Sequence, residues 1–419
     1  MKKVFNFTLA LLLVLFTAFQ LVGCTLVDTS SSETTKATTT EAGPKTTTPN
    51  QGKVKVGLIC LHDESSTYDK NFIDSMYRAL TELGLAASDL ELVTGIPEGS
   101  ECYDKAMELA QTCDIIFADS FGHETYMLRA AEENPDVVFC HATGTQAHTA
   151  DVSNFHNAFA SIYQGRYLAG IAAGMKLNEM IAAGQFTAEQ AKVGYVGAFP
   201  YAEVVSGYTS FFLGVRSVCP TATMEVRYTS SWYDYDKEYA AANALINGGC
   251  KLISQHADSY GAPTACEEHN VPNVTYNGST VKECPNTYVV SSKIDWTPYY
   301  VMMVGALMRG ETVTESDYVG TIASGSVKLD AVGTCAALGT QTAIDAAIAA
   351  MEAGTLHVFD TSTFTVNGQT LTTYLADVDD LGDYQGETEV IANGYFHESE
   401  YRSAPYFDLR IDGITEINE

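Results

Sequence analysis

The chain has 419 residues, 46% of them hydrophobic and 18% charged, with a formal charge of −29 at pH 7. So acidic a surface argues against nucleic acid and anionic lipid as partners, and says little about a ligand enclosed in a cleft. The roughly 367 residues that follow position 52 are too many for one compact core, and two lobes are expected.

Lys2 and Lys3 precede an apolar run from Val4 to Val22 that ends in Leu21-Val22-Gly23-Cys24. This order reads as a secretory signal over residues 1–23. A Cys directly after Leu-x-Gly resembles the bacterial lipobox, which implies cleavage before Cys24 and lipidation of its thiol, a membrane anchor on the extracytoplasmic face. Residues 24–52 then turn to Ser, Thr and Pro, with nothing to bury, and read as a disordered tether.

From Val54 onward strand and helix alternate. The β-rich run Val54–Cys60 is followed by Phe72, Met76, Leu80 and Leu83 at helical spacing, with Gly84 as the stop. A strand near Leu90–Val93, a helix over about Glu101–Gln111, the apolar run Asp114–Ala118, a helix over about Glu124–Glu133 and a strand at Val137–His141 complete one series. After a helix near Gly165–Lys176 the series restarts: strands Lys192–Gly197, Met224–Thr229, Lys251–His256 and Asn273–Tyr276 alternate with helices Val204–Val218, Lys237–Ile246 and Pro263–His269. A helix at Pro298–Met308 and a strand-rich last stretch remain. Two βαβ series argue for two parallel-sheet lobes: 53–157 with 290–318, and 158–289 with 319–419.

In open parallel sheets, ligands sit beyond the carboxyl ends of the strands. Six polar and aromatic clusters fall there: His62–Phe72, Asp119–His123, Phe199–Glu203, Ser230–Asp234, His256–Gly261 and Ser292–Trp296. They supply Tyr68, Asp69, Phe72, Ser120, Phe121, Glu203, Trp232, Asp258, Lys293 and Trp296 as candidates. Aromatic faces with carboxylates suit a flat heterocycle. Stacking contributes about 1–3 kcal/mol per base, and a carboxylate accepts from amines and hydroxyls with charge-assisted strength.

Nothing in the sequence points to catalysis: there is no G-x-S-x-G, no P-loop and no H-E-x-x-H. The histidines lack paired spacing, so neither metal nor cofactor is expected. The nine cysteines after Cys24 show no C-x-x-C. Cys102 and Cys113, at opposite ends of one helix, are too far apart to bond. Most of the nine read as small buried hydrophobes, and their odd number leaves a free thiol or an intermolecular bridge.

Several stretches resemble the basic membrane protein family of bacterial ABC-transport lipoproteins, which includes purine-nucleoside receptors. They are Phe139-Cys140-His141-Ala142-Thr143-Gly144, Gly165-Arg166-Tyr167-Leu168-Ala169-Gly170, Val193–Gly197 with Phe199-Pro200 and Glu203-Val204, Ser231-Trp232-Tyr233-Asp234 with Lys237-Glu238, Gln255–Ser259 and Trp296–Tyr300. The resemblance covers about residues 53–419. It implies a type I periplasmic-binding-protein fold, two Rossmann-like lobes with a ligand cleft at the hinge and three crossovers. It also implies a purine base or nucleoside as ligand and an ABC permease as partner, for a monomeric binding protein rather than an enzyme. By the family pattern Tyr68, Phe72, Phe121, Trp232 and Asp258 face the cleft, Asp258 meets the ribose or purine, and Lys293 matches a ligand-reaching lysine. The adenine-type branch carries Gly-Trp-Thr-Tyr where this chain has Ser65-Ser66-Thr67-Tyr68. The nucleoside branch carries a stacking Phe near Gly207, with Tyr208 beside it here, so base and nucleoside both stay open. A ligand sensor of the same fold is an alternative. A nucleoside-acting enzyme is another, which a cleft metal or a cleft carboxylate of raised pKa would favour.

Overall fold

The structure, a computed structural model, describes residues 53–378 and 385–417. The leader, Cys24 and the tether lie outside the described residues.

Local chemistry sets the helix ends. The first strand, β1 (Val56–Ile59), leads to α1 (Thr67–Leu83). The Ser66 hydroxyl caps α1 by accepting from the Asp69 amide at 3.2 Å, and Gly84 ends it at φ +71°, where a side chain would be strained. The series runs on through β2 (Leu90–Val93), α2 (Ser100–Leu109), β3 (Ile115–Ala118), α3 (Glu124–Glu133), β4 (Val138–Ala142) and β5 (Phe155–Ala160). Then come α4 (Ile162–Ala182), β6 (Lys192–Gly197), α5 (Ala202–Val218), β7 (Thr223–Tyr228), α6 (Tyr235–Asn247), β8 (Leu252–His256), α7 (Gly261–His269), β9 (Asn273–Tyr276) and β10 (Tyr288–Ile294). After these follow α8 (Thr297–Met308), β11 (Asp317–Gly320), β12 (Val327–Leu329) and α9 (Thr340–Glu352). The short pairs β13 (Leu375–Ala376) with β14 (Thr388–Glu389), and β15 (Ile391–Ala392) with β16 (Tyr395–Phe396), precede β17 (Ile414–Ile417).

Two sheets result. The first runs β11-β5-β4-β3-β1-β2, every pair parallel. The second runs β12-β10-β9-β8-β6-β7-β17, with only the β12 edge antiparallel. Central strands such as β1, β3 and β8 are buried on both faces, as helix-covered parallel sheets require. Strand order reverses between β1 and β3 and again between β6 and β8, which opens a crevice at the carboxyl edge of each sheet.

The chain passes between the sheets three times, after β5, after β10 and after β11. These positions differ from the expected boundaries. Phe155–Ala160 lies wholly in the first sheet, beyond the expected limit at 157, and Tyr288–Ile294 lies in the second although 290–318 was expected in the first. Both strands carry polar residues at buried positions, such as Asn157 and Ser291, which hid them from hydrophobic patterning. Beyond position 332 the chain wraps the second lobe. Helix α9 packs on α4, and Phe359 stacks on Phe407 at 4.2 Å within the core that holds Phe211 and Phe212 of α5.

All nine described cysteines are free thiols, eight of them buried and Cys335 half-buried. The second lobe is centred on α4 against α5, whose backbones nearly touch. A Cβ on Gly170 would lie 2.0 Å from the Phe211 carbonyl oxygen, and one on Gly214 would lie 2.1 Å from that of Tyr167. Backbone cannot swing aside as a side chain can. Gly214→Val should therefore cost about 3 kcal/mol, the upper end for overpacking. A lowered urea midpoint is expected, and an unchanged midpoint would mean the two helices can slide apart freely.

Candidate functional site

One cavity lies where the carboxyl ends of seven strands meet. Leu61 and His62 follow β1, with Tyr68 and Asp69 in the first turn of α1. Ser120 and Phe121 follow β3, and Thr143 follows β4. From the second lobe come Glu203 after β6, Trp232 after β7, His256 at the end of β8 with Asp258 beyond it, and Asn277 after β9. Three non-glycine residues here hold left-handed backbone: Thr143 at φ 67°, Ser230 at 55° and Asn277 at 67°. Each such residue costs of order 1–3 kcal/mol, and such strain collects at working sites.

The lobes touch across this cleft. Both the Thr67 amide (2.9 Å) and the Thr67 hydroxyl (3.1 Å) donate to the Asp258 carbonyl oxygen. The rings of His62 and Tyr233 lie 5.4 Å apart, those of Phe121 and Tyr201 5.6 Å. Atom-free space is about 370 Å³, yet only about 20 Å³ of it is open to the centre of a water molecule. That is room for one or two waters. A bicyclic ligand enters only if these contacts part.

Carboxylates dominate the cleft. Asp69 accepts from the His62 amide at 2.7 Å and the Ser66 hydroxyl at 2.6 Å. Burial works to raise its pKa, but these bonds outweigh it and hold the carboxyl below its usual value. Asp119 differs: burial first, then the charge of Asp69, push it well upward, and its Oδ2 has no partner. Cys60 Sγ and one oxygen each of Asp69 and Asp119 lie within 4.8 Å of one another, all buried. The two carboxyls are thus driven in opposite directions, Asp119 up and Asp69 down, as expected of like groups crowded in one buried spot. Asp258 takes a bond from Asn277 Nδ2 at 3.1 Å. Burial, followed by the charges of Glu238, Asp69 and Glu203, raises it well above the usual carboxylate range. Glu203 Oε1 sits 3.3 Å from His256 Nε2. Burial pulls His256 down despite Glu203, and Arg166 behind it adds to the fall. The site thus offers carboxyl oxygens to ring N–H groups, amines and hydroxyls.

Of the sequence candidates, the fold gathers Tyr68, Asp69, Ser120, Phe121, Glu203, Trp232 and Asp258 around the cavity. It places four elsewhere. Phe72 stacks on Trp296 at 4.3 Å inside the first core, where Trp296 also meets Phe159. Tyr208 is buried in the second core and donates to Glu416 at 2.7 Å. Lys293 pairs with Asp330 at 2.5 Å. Trp296 does follow a strand end, that of β10, but it caps α8 and that helix start is roofed by α1. Gly207 leaves no room for a side chain as packed: a Cβ there would lie 2.7 Å from His256 Nδ1, so His256 fills the place an aromatic at 207 would need. Leu61, His62, Thr143, His256 and Asn277 were not among the candidates, although the strand-end rule applied to every strand would have reached Thr143 and Asn277.

A sequence profile described as Bmp, ABC transporter substrate-binding protein PnrA-like, matches residues 56–332. The chain belongs to this family. A putative ABC transporter glucose-binding protein of Haloferax volcanii is 36% identical over 220 residues, 52% of this chain and 52% of that one, so this chain spans about half of that relative's length. The purine-binding protein BAB2_0673 of Brucella abortus is 31% identical over 281 residues, 66% of this chain and 75% of that protein. An ABC transporter solute-binding protein from Conexibacter woesei superposes with a TM-score of 0.59 at 20% identity, over 73% of this chain and 98% of its own. This likeness concerns the fold, the type I periplasmic-binding-protein architecture. No helix among the described residues is long and apolar enough to cross a membrane.

The raised Asp258 pKa makes a signed prediction. Above about pH 4 the unfolded Asp gives up its proton while the folded one keeps it, so the folded state loses stability as pH rises through the raised value. Asp258→Asn has no such proton to lose. Its melting midpoint should match the wild type below pH 4 and exceed it increasingly toward pH 8. Parallel curves for the two proteins would show that Asp258 loses its proton in the fold where the unfolded residue does.

Proposed function

We propose that this Bmp-family protein is the extracytoplasmic receptor of an ABC importer, anchored through Cys24, and that it closes on a purine base or purine nucleoside. The observation that carries the reading is the composition of the cleft: the carboxylates of Asp69, Glu203 and Asp258 interleaved with Tyr68, Phe121 and Trp232, shared between two hinged lobes. Carboxylates meet an exocyclic amine, ring N–H groups or ribose hydroxyls, and the aromatic faces meet a flat ring. A purine-binding relative over 66% of the chain supports the same chemistry. Ligand contacts present only when the lobes meet shift the protein toward the closed form, which then docks on a permease.

A glucose-binding name on the other relative gives a sugar reading its own standing, because carboxylates and an indole face also suit a pyranose. The raised pKa of Asp258 is the feature an enzymatic reading called for, but burial and three like-charged neighbours supply a full cause without catalysis. Recovery of the ligand chemically unchanged after incubation separates receptor from enzyme.

Melting of the purified full-length protein against purine and pyrimidine bases, their nucleosides, and glucose tests the assignment. A true ligand at a hundred times its dissociation constant adds about 2.7 kcal/mol. A raised midpoint with adenine, adenosine, guanosine or inosine is expected. A response to glucose alone would transfer the site to sugars. With the responding purine, Asp258→Ala and Trp232→Ala should each weaken binding at least tenfold by calorimetry, and unaltered affinity would remove that residue from the site.

A further inference from the structure

A second and roomier chamber opens beside the cleft and shares Phe121, Thr143 and Glu203 with it. About 390 Å³ of it is open to the centre of a water molecule, against about 20 Å³ in the cleft itself. Its far wall is Arg402, Tyr406 and Arg410, from the C-terminal arm beyond the family match at 56–332. This chain therefore adds a wall that the matched region does not contain.

The charges on that wall are unequal in their needs. Arg410 is exposed at the rim, pairs with Glu416 at 3.0 Å and donates to the Asp408 carbonyl oxygen at 2.5 Å. Among the acidic residues of the chamber, Asp408 accepts from the Tyr374 hydroxyl at 2.5 Å, Glu203 faces His256, and Asp377 is half-buried. Arg402 is 8% exposed. Its Nε and Nη2 donate to the carbonyl oxygens of Ala404 and Pro405 in its own loop, at 3.3 and 3.2 Å. Nη1 is buried without a partner. No carboxylate oxygen among the described residues lies within ion-pair distance of Arg402; Glu398 nearby is taken by the Tyr406 and Phe407 amides at 2.7 and 2.9 Å. The Arg402 charge acts on Glu398 without touching it; a buried guanidinium with no direct ion pair is costly, and its planar fork matches an oxyanion.

We propose that this chamber is a second subsite that receives an anionic oxygen group, phosphate or carboxylate, carried by the same molecule whose ring lies in the cleft. The inference rests on the purine reading for the ring. The ligand is then dipolar: a donor-rich ring faces Asp69, Glu203 and Asp258, and an anionic extension reaches Arg402.

Titration calorimetry on the full-length protein compares adenosine, guanosine and inosine with their 5′-monophosphates, and adenosine with adenosine 5′-carboxylic acid. At least one anionic form should bind tenfold or more tightly than its parent nucleoside, and the phosphate and carboxylate arms tell which group the chamber takes. Arg402→Ala should erase the difference between the two forms. Arg402→Lys, which keeps the charge but not the fork, should retain part of it and serves if the alanine variant does not fold. Nucleoside binding with no gain from either anionic group would overturn the subsite and leave the purine reading intact, as would a gain that survives Arg402→Ala. Binding of none of these compounds would overturn the subsite, and failure of adenine and guanine as well would sink the purine reading with it.

Discussion

A buried cation holds the second lobe's binding edge in place. Arg166, on the first full turn of α4, is wholly buried. Its guanidinium donates to the Thr275 carbonyl oxygen, the Ser292 hydroxyl, the Tyr195 hydroxyl, the Ser254 hydroxyl and the Gln255 carbonyl oxygen, at 2.9 to 3.4 Å. Those partners stand near the carboxyl ends of β6, β8, β9 and β10. One side chain thus ties four adjacent strands to the helix that enters the lobe. The faces of Tyr195, Phe211 and Tyr276 surround it at 5.1 to 5.5 Å, and such contacts offset part of the desolvation cost. The same charge bears on His256 from behind, which links the scaffold to the electrostatics of the cleft.

The cleft is built against its own stability. Buried carboxylates crowd one another, three backbones sit in left-handed strain, and neither arrangement favours the folded chain. Structural devices compensate locally. Both oxygens of Glu238 hold the Ser259 amide at 3.1 Å, fixing the loop that carries Asp258. Glu124 takes the amides of Thr145 and Gln146 at 2.7 and 2.8 Å, fixing the loop that carries Thr143. The cleft-lining residues therefore stand on loops whose backbones are themselves pinned, and the lobes meet at the cleft through the two hydrogen bonds from Thr67 and the ring contacts of His62 with Tyr233 and Phe121 with Tyr201.

The C-terminal arm ties itself to both lobes. Phe359 and Phe407 complete the core under α5, while the Ser403 amide donates to Asp317 of β11 at 2.9 Å, and His148 meets the same carboxylate at 3.3 Å. A segment fastened on both sides of the hinge bears on how the lobes separate as well as on what the chamber between them holds.

The sequence alone determined the order of strands and helices through β9, β5 excepted, because hydrophobic period, Ser66 and Gly84 act within a few residues. It also determined the region of the site, since a βα series dictates that ligands lie past the strand ends, and seven of eleven candidates meet there. Only tertiary structure decided the rest. Whether an aromatic near a strand end faces ligand or core depends on what packs over it: Trp296 is covered by α1 and Phe72, whereas Trp232 is left at the cleft. Lys293 is claimed by Asp330, thirty-seven positions away, and Tyr208 by Glu416, two hundred and eight away. The polar strands β5 and β10 form because their neighbours complete their hydrogen bonding. Burial and charge partners are properties of contacts distant in the chain, and no local pattern encodes them.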